Sequence, residues 1–300
     1  EFSKQMHTDM SGYFRIDPYD AGHDVRNDIL RTLTKCGISF EKAHHEVTAS
    51  QHEINVSASD PLSAADTTML VRYIIKSVAR DNNLYATFMP KPFDEQNRNA
   101  FHIHLSMNDL EGRNLFYDEK DEHNLSRTAR QFIGGVLKYA RETSIIMAST
   151  VNSYKAYVID KEAPISVGWG IKNRSSMIRV PYSDSPENTR IELRSPDPSG
   201  NVYLQFATFI ASGLQGIKEG LDCGGPDKGS AYRKKSEKVY DEKYLPKTTF
   251  EALAAAQEST FLRDVLGDYI YGKYLQLKVD EWEEHRVRVT PFEHKKYLGI

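Results

Sequence analysis

Apolar residues return at helical spacing in three stretches of the chain: residues 64–80, where Leu70, Ile74 and Val78 recur on one face, residues 126–148, and residues 203–221. Residues 250–286 predict further helix, broken near Gly267 or Gly272. Between these segments the period shortens to two. Residues 51–56, 101–106, 177–180 and 190–194 alternate apolar and polar positions, the pattern of strands with one face against a core. Strands interspersed with helices, without regular β-α-β spacing, predict an α+β fold in which an antiparallel β-sheet carries helices packed on one side. No repeat and no Gly/Ser- or Pro-rich linker divides the chain. A single domain over residues 1–300 is therefore expected, with long polar loops at residues 108–123 and 224–247.

Composition narrows the function classes. Hydrophobic residues at 39% and charged residues at 27% suit an ordered globular protein. The formal charge is -3, and Lys and Arg are scattered among Asp and Glu, so no basic face exists to bind a phosphate backbone and no nucleic-acid partner is expected. Cys36 and Cys223 are too few for a disulfide framework and too isolated for a zinc knuckle, which points to a reducing, cytoplasmic location. No apolar run approaches the roughly 20 residues of a membrane span, and the amino terminus has no signal-peptide core. The chain starts Glu1-Phe2-Ser3 rather than at Met, and is expected to be a fragment.

Three segments carry candidate chemistry. As a strand, Phe101-His102-Ile103-His104-Leu105-Ser106 places His102, His104 and Ser106 on one face and its apolar residues on the other. Either that face serves a site, or this is a half-exposed strand with incidental histidines. Arg190-Ile191-Glu192-Leu193-Arg194 sets a carboxylate between two guanidinium groups, a comb suited to a hard cation and phosphoryl or carboxylate oxygens. The alternative is a surface salt-bridge ladder, each rung worth ~0 to 1 kcal/mol. In His44-His45-Glu46-Val47-Thr48-Ala49-Ser50-Gln51-His52-Glu53-Ile54, a turn at Thr48 to Ser50 would bring Glu46 and Glu53 close enough to share a cation. Carboxylates with a histidine favour magnesium or manganese; a buried His pair beside solvated acids is the competing reading. Arg174 and Arg179 add cationic groups just before the comb.

Taken together these segments resemble the glutamine synthetase family over nearly the whole chain, from Gly12-Tyr13-Phe14 to Val289-Thr290-Pro291-Phe292-Glu293. The anchors are His44-His45-Glu46-Val47, Gln51-His52-Glu53-Ile54, Ala86-Thr87-Phe88-Met89-Pro90-Lys91-Pro92, Asn152-Ser153-Tyr154-Lys155, Glu162-Ala163-Pro164, Asn173-Arg174-Ser175, and Arg190-Ile191-Glu192 followed by Arg194 and Pro196-Asp197-Pro198. The resemblance implies the fold of the glutamine synthetase catalytic domain and the guanido kinases. It implies an ATP-dependent ligase with two Mg2+ or Mn2+ sites that joins ammonia to the gamma-carboxylate of glutamate through an acyl phosphate. Glu46 and Glu53 would bind the first metal, and His102 and Glu192 the second. His104 and Ser106 would lie on the ATP side with Arg179 and Arg190. Arg174 and Arg179 would steady the transferring phosphoryl group, Asn97, Arg98 and Arg194 would serve the amino acid, and Glu162 would belong to a flap that shields the acyl phosphate and accepts a proton from ammonium. The family also implies an amino-terminal β-grasp domain, apparently absent from this chain, whose Glu-x-Glu strand adds a ligand to each metal. A homo-dodecamer closed across subunit interfaces is implied as well.

The chain departs from the family's pattern where substrates are handled. Family members usually read Asn-Gly-Ser-Gly-Met-His where this chain reads Asn97-Arg98-Asn99-Ala100-Phe101-His102, so backbone approach to the amino acid is altered. Ala156 replaces an arginine that pairs with substrate carboxylate, a charge-assisted bond worth ~1.5 to 3 kcal/mol unless Arg98 compensates. Ala58 stands where an aromatic residue often meets adenine, and Asp160 and Lys161 replace a Gly-Tyr pair before the flap glutamate. Three functions therefore stand open: glutamine synthetase, a gamma-glutamyl-amine ligase (polyamine or ethanolamine) or other carboxylate-amine ligase, and a catalytically inactive assembly protein of the same family.

Overall fold

The computed structural model describes residues 7–10, 12–158, 161–233 and 241–300. The chain divides into two compact units: the first comprises Glu1–Phe88 and Phe93–Asn97, the second Met89–Pro92 and Arg98–Ile300.

In the first unit a helix α1 (His23–Lys35) precedes a hairpin of β1 (Phe40–His45) and β2 (His52–Val56), and α2 (Pro61–Asp81) follows. The α2 helix begins where the sequence supplies a cap: Asp60 accepts hydrogen bonds from the Leu62 and Ser63 amides, and Pro61 occupies a position whose N–H has no helical partner. Its buried stripe is Val71 and Ile74, with Ile75 and Val78 packed behind them, against Ile29 and Leu33 of α1 and Ile54 and Val56 of β2. Leu70, expected on that stripe, is 43% exposed, because helical spacing from Val71 runs through 74, 75 and 78 and leaves residue 70 about 100° round the axis. The hairpin is antiparallel, with His44 opposite Glu53 and His45 opposite His52. The predicted turn lies between them: the Glu46 amide bonds the Gln51 carbonyl at 2.7 Å, and Ser50 takes a left-handed φ of 58°.

In the second unit four short strands form one sheet in the order β3 (Ile103–Leu105), β6 (Ile191–Leu193), β5 (Ile178–Val180), β4 (Trp169–Ile171). The pairs β3/β6 and β5/β6 are antiparallel, as expected, but β4 and β5 run parallel. Their connection is short: it leaves β4 at Lys172, whose φ of 55° turns the chain back, and Asn173 holds the bend by accepting from the Ser175 amide and hydroxyl.

The sheet's apolar residues Ile103, Trp169, Ile178, Ile191 and Leu193 join one core with α3 (Arg127–Lys138), α4 (Ser144–Met147), α5 (Val151–Tyr154), α6 (Val202–Glu219), α7 (Thr249–Gln257) and α8 (Thr260–Arg286). A final helix α9 (Pro291–Tyr297) starts at a capping box of Thr290 and Glu293. The helix α3 crosses α6 at glycines: a Cβ on Gly135 would stand 2.1 Å from the Ser212 carbonyl oxygen. Close approach there leaves room for nothing larger. The single helix expected over residues 126–148 is interrupted after α3, where the Tyr139 ring stacks on Phe261 at 3.9 Å and Arg141 donates to the Tyr244 carbonyl. Gly267 breaks α8 as expected, with φ 72° and ψ 154°, while Gly272 remains helical, and a further interruption falls at Ser259, which caps Leu262. No helix among the described residues is long and apolar enough to cross a membrane.

Candidate active site

On the sheet of the second unit, register sets the site. His104 lies opposite Glu192, which lies opposite Arg179, so the three share one face. Ile191 and Leu193 turn the other way into the core, which fixes Glu192 in orientation. The result is not a surface ladder. Glu192 is 2% exposed; its Oε2 accepts from Arg179 Nη1 and its Oε1 from Arg194 Nη1, both at 2.6 Å. Arg190, expected as the second tooth of the comb, turns instead to His104, donating from Nε to Nδ1 at 3.1 Å.

Burial by itself raises the Glu192 pKa, but Arg194, His102, His104 and Arg179 outweigh it and hold the carboxyl down at about 2. His102 is pushed well below its ordinary 6.5, first by burial and then by Arg194. Its imidazole is therefore neutral at pH 7, the form in which it can bind a cation. His102 Nδ1 lies 3.3 Å from Glu192 Oε1, and Nε2 is buried without a hydrogen-bond partner in the structure. A neutral imidazole with one nitrogen near the carboxylate and the other without a partner is chemically suited to a divalent cation.

Arg98 is 5% exposed and points inward. Its Nη1 donates to the Ser195 carbonyl at 3.1 Å and its Nη2 to that of Arg194, while its guanidinium lies 5.6 Å from the centre of the Tyr157 ring. Tyr157 donates its hydroxyl to the same Ser195 carbonyl at 2.7 Å, next to Ala156, which is 2% exposed. Arg98 thus braces the main chain beneath Arg194.

Ser106, Glu162 and Arg174 are exposed, and the Arg174 carbonyl accepts from the Tyr232 hydroxyl at 2.8 Å. Tyr232 is a residue that the sequence pattern did not single out. Burial raises its pKa, Arg194 lowers it and Glu162 raises it, so the phenol sits within electrostatic reach of both. It stands in a short 3-10 helix, Ala231–Arg233, in the polar stretch after Gly224, where no periodicity marks it. Asp160 and Glu1 lie outside the described residues.

In the first unit the hairpin brings Glu46 and Glu53 together, and adds His44: ligand atoms of the three lie within 4.8 Å of one another. A second group, Asp9, Asp20, His45 and His52, is equally close but already holds a cation of its own. Arg26 donates to Asp20 Oδ2 at 2.6 Å and to His52 Nδ1 at 2.9 Å, so two of the group's four members already have a cationic partner. Burial, Arg26 and His45 hold His52 down at about 4, so it too is neutral. Asn97 is half-buried in this unit.

The α+β unit thus holds an internal carboxylate clamped by two guanidinium groups beside a neutral imidazole. The description "Glutamine synthetase, catalytic domain" belongs to the family model that matches residues 1–297. The chain is 40% identical over 292 residues to the glutamine synthetase of Halobacterium salinarum, covering 97% of this chain and 64% of that one. It is 40% identical over 296 residues to that of Methanosarcina mazei, covering 98% and 66%. A solved structure of a GmaS/ADP complex superposes with a TM-score of 0.86 at 30% identity, covering 99% of this chain and 69% of that one. The chain belongs to the glutamine synthetase catalytic-domain family, and it spans about two thirds of the length of the two curated relatives.

Proposed function

We propose that the protein is a glutamine synthetase, an ATP-dependent ligase that joins ammonia to the gamma-carboxylate of glutamate through an acyl phosphate. The observation that carries this reading is the clamped Glu192 carboxylate beside the His102 ring, whose Nε2 has no hydrogen-bond partner, in a chain of this family. His102 and Glu192 would hold one divalent cation, Mg2+ or Mn2+, and Glu46 and Glu53 another. Bound there, such cations neutralise phosphate oxygens and polarise the group being transferred. Arg179 and Arg190 offer fixed positive charge to ATP, with His104 and Ser106 on the same side, and an ADP complex is known for the similar GmaS structure. Arg174 and Arg179 steady the phosphoryl group in flight, where positioning and charge neutralisation supply most of the rate. Arg194 holds the carboxylate substrate, with Asn97 and Arg98 on the amino-acid side. Glu162, exposed before binding, shields the acyl phosphate and takes the proton that ammonium gives up. A cytoplasmic location and assembly into a homo-dodecamer belong to the same proposal.

Ala156 favours a second reading, a gamma-glutamyl-amine ligase or a ligase for another acid. The residue is buried with no charge to offer, and the Arg98 amino groups donate to main-chain carbonyls. The test is a panel of acids and amines with the full-length protein, ATP and Mg2+ or Mn2+, reading phosphate release and amide product. Glutamine from glutamate and ammonia, abolished by Glu192→Ala, is the expected result. Turnover only with another amine or acid selects the second reading, and no turnover with any pair overturns both in favour of an inactive assembly protein.

A further inference from the structure

The hairpin carboxylates have a third neighbour to which the ligase reading gives no role. His44 on β1 faces Glu53 on β2 because the two are register partners, and its side chain is only 5% exposed. Its Nδ1 lies 3.0 Å from the His45 carbonyl oxygen. A carbonyl can only accept, so Nδ1 donates to it and Nε2 is the ring nitrogen turned toward Glu53. The ring cannot easily turn away: it stacks on Phe14 with centroids 4.5 Å apart at 22°, and the Tyr13 ring meets its edge at 5.4 Å. Nε2 stands 3.6 Å from Glu53 Oε1, too far for a hydrogen bond. Strand register holds these two ligand atoms close together. Their separation from each other and from Glu46, within 4.8 Å, suits ligands of one ion. The neighbouring His52 offers a contrast, since there Arg26 supplies positive charge from within the chain.

We propose that His44, through Nε2, is a protein ligand of the cation held by Glu46 and Glu53, and that it biases this position toward Mn2+ and similar transition ions over Mg2+. Carboxylate oxygens alone suit Mg2+, whereas an imidazole nitrogen raises affinity along the transition series and adds little for magnesium. The inference rests on the assignment of Glu46 and Glu53 to a cation, but not on which reaction the protein runs.

The test is direct metal binding by the full chain, with Glu192→Gln present throughout to remove the other candidate site. Free Mn2+ is counted by electron paramagnetic resonance, and Mg2+ is titrated in competition. His44→Asn is expected to weaken Mn2+ binding ~10-fold or more while changing Mg2+ binding less than about threefold. Nitrogen-15 NMR of the imidazole supplies a readout that needs no substitution at His44: saturating Zn2+ shifts Nε2 and leaves Nδ1 protonated. Equal loss for both ions in His44→Asn, or an Nε2 resonance unmoved by Zn2+, overturns the role of His44. If Glu46→Gln and Glu53→Gln bind Mn2+ as tightly as the parent chain, the cation site itself fails, and with it that part of the ligase reading.

Discussion

Glu192 and Glu53 are both carboxylates on short antiparallel strands beside a histidine, yet they are built for different electrostatic situations. Glu192 is almost fully buried, and its negative charge is already met by Arg179 and Arg194. Glu53 has a side chain 33% exposed, and its histidine stands at 3.6 Å, beyond hydrogen-bond distance. The first carboxylate is part of the protein's own charge balance, so a cation arriving there joins a completed network. The second relies on solvent or a bound ion for its balance. Removing Glu192 should therefore cost folding as well as chemistry, whereas removing Glu53 should cost binding alone.

The largest expected effect is that of Glu192→Ala. Two guanidinium groups lose their buried counter-charge, and breaking such a network is worth about 3–5 kcal/mol. Urea denaturation of the chain should show that loss, and amide formation should vanish. A loss under about 1 kcal/mol would mean that water or another acid replaces the carboxylate. Glu53→Gln is the counterpart. Its stability change should stay within about 1 kcal/mol, as for exposed pairs, while Mn2+ affinity falls ~10-fold or more. A large folding defect there would erase the contrast between the two sites.

Proton linkage sharpens the comparison. The folded Glu192 pKa of about 2 lies below the ordinary 4.5, so its contribution is present in full above about pH 4.5 and is lost as pH falls toward 2. Glu192→Gln should remove that slope from an acid denaturation curve. His102 and His52 are both depressed below 6.5, so stability is full above pH 6.5 and declines as the unfolded chain takes up protons that the folded chain refuses. For His52 the window closes near pH 4. His52→Asn should flatten the decline between pH 6.5 and 4, and His102→Asn the decline beginning at the same pH. A slope unchanged in His52→Asn would mean that burial and Arg26 do not keep that ring neutral.

The smallest effect expected is that of Phe14→Ala, which removes the ring on which His44 rests. Stacking of this kind is worth about 0.5–1.5 kcal/mol, so Mn2+ affinity should fall about fivefold with Mg2+ affinity unchanged. No change in Mn2+ affinity would show that the backbone bond from Nδ1 suffices to aim His44.

Much of this was legible in the chain. Alternation over residues 101–106 and 190–194 predicted β3, which begins just after His102, and β6, which carries Glu192, and the polar break at Thr48 to Ser50 predicted the turn that joins Glu46 to Glu53. These are local patterns, set by whether a side chain points to the core. Periodicity could not show that Arg179 rather than Arg190 pairs with Glu192, because that choice follows from which strand lies beside which. The parallel pairing of β4 and β5 escaped for the same reason: it depends on a six-residue return rather than on either strand. Arg98 looked like a long cation at a substrate loop, and only packing against Tyr157 and the Ser195 carbonyl turned it inward.

The amino-acid sequence by itself determined the α+β class, the capped and glycine-broken helices, and the set of acids, histidines and arginines available for chemistry. Each follows from backbone propensity and from the period of apolar positions, which act within a few residues. Tertiary structure alone decided which distant side chains meet: Glu192 with Arg179, His52 with Arg26, His44 with Glu53. Electrostatic energy depends on separation and burial in space, and residues 13, 26 or 9 positions apart acquire those only when strands pair and a core excludes water.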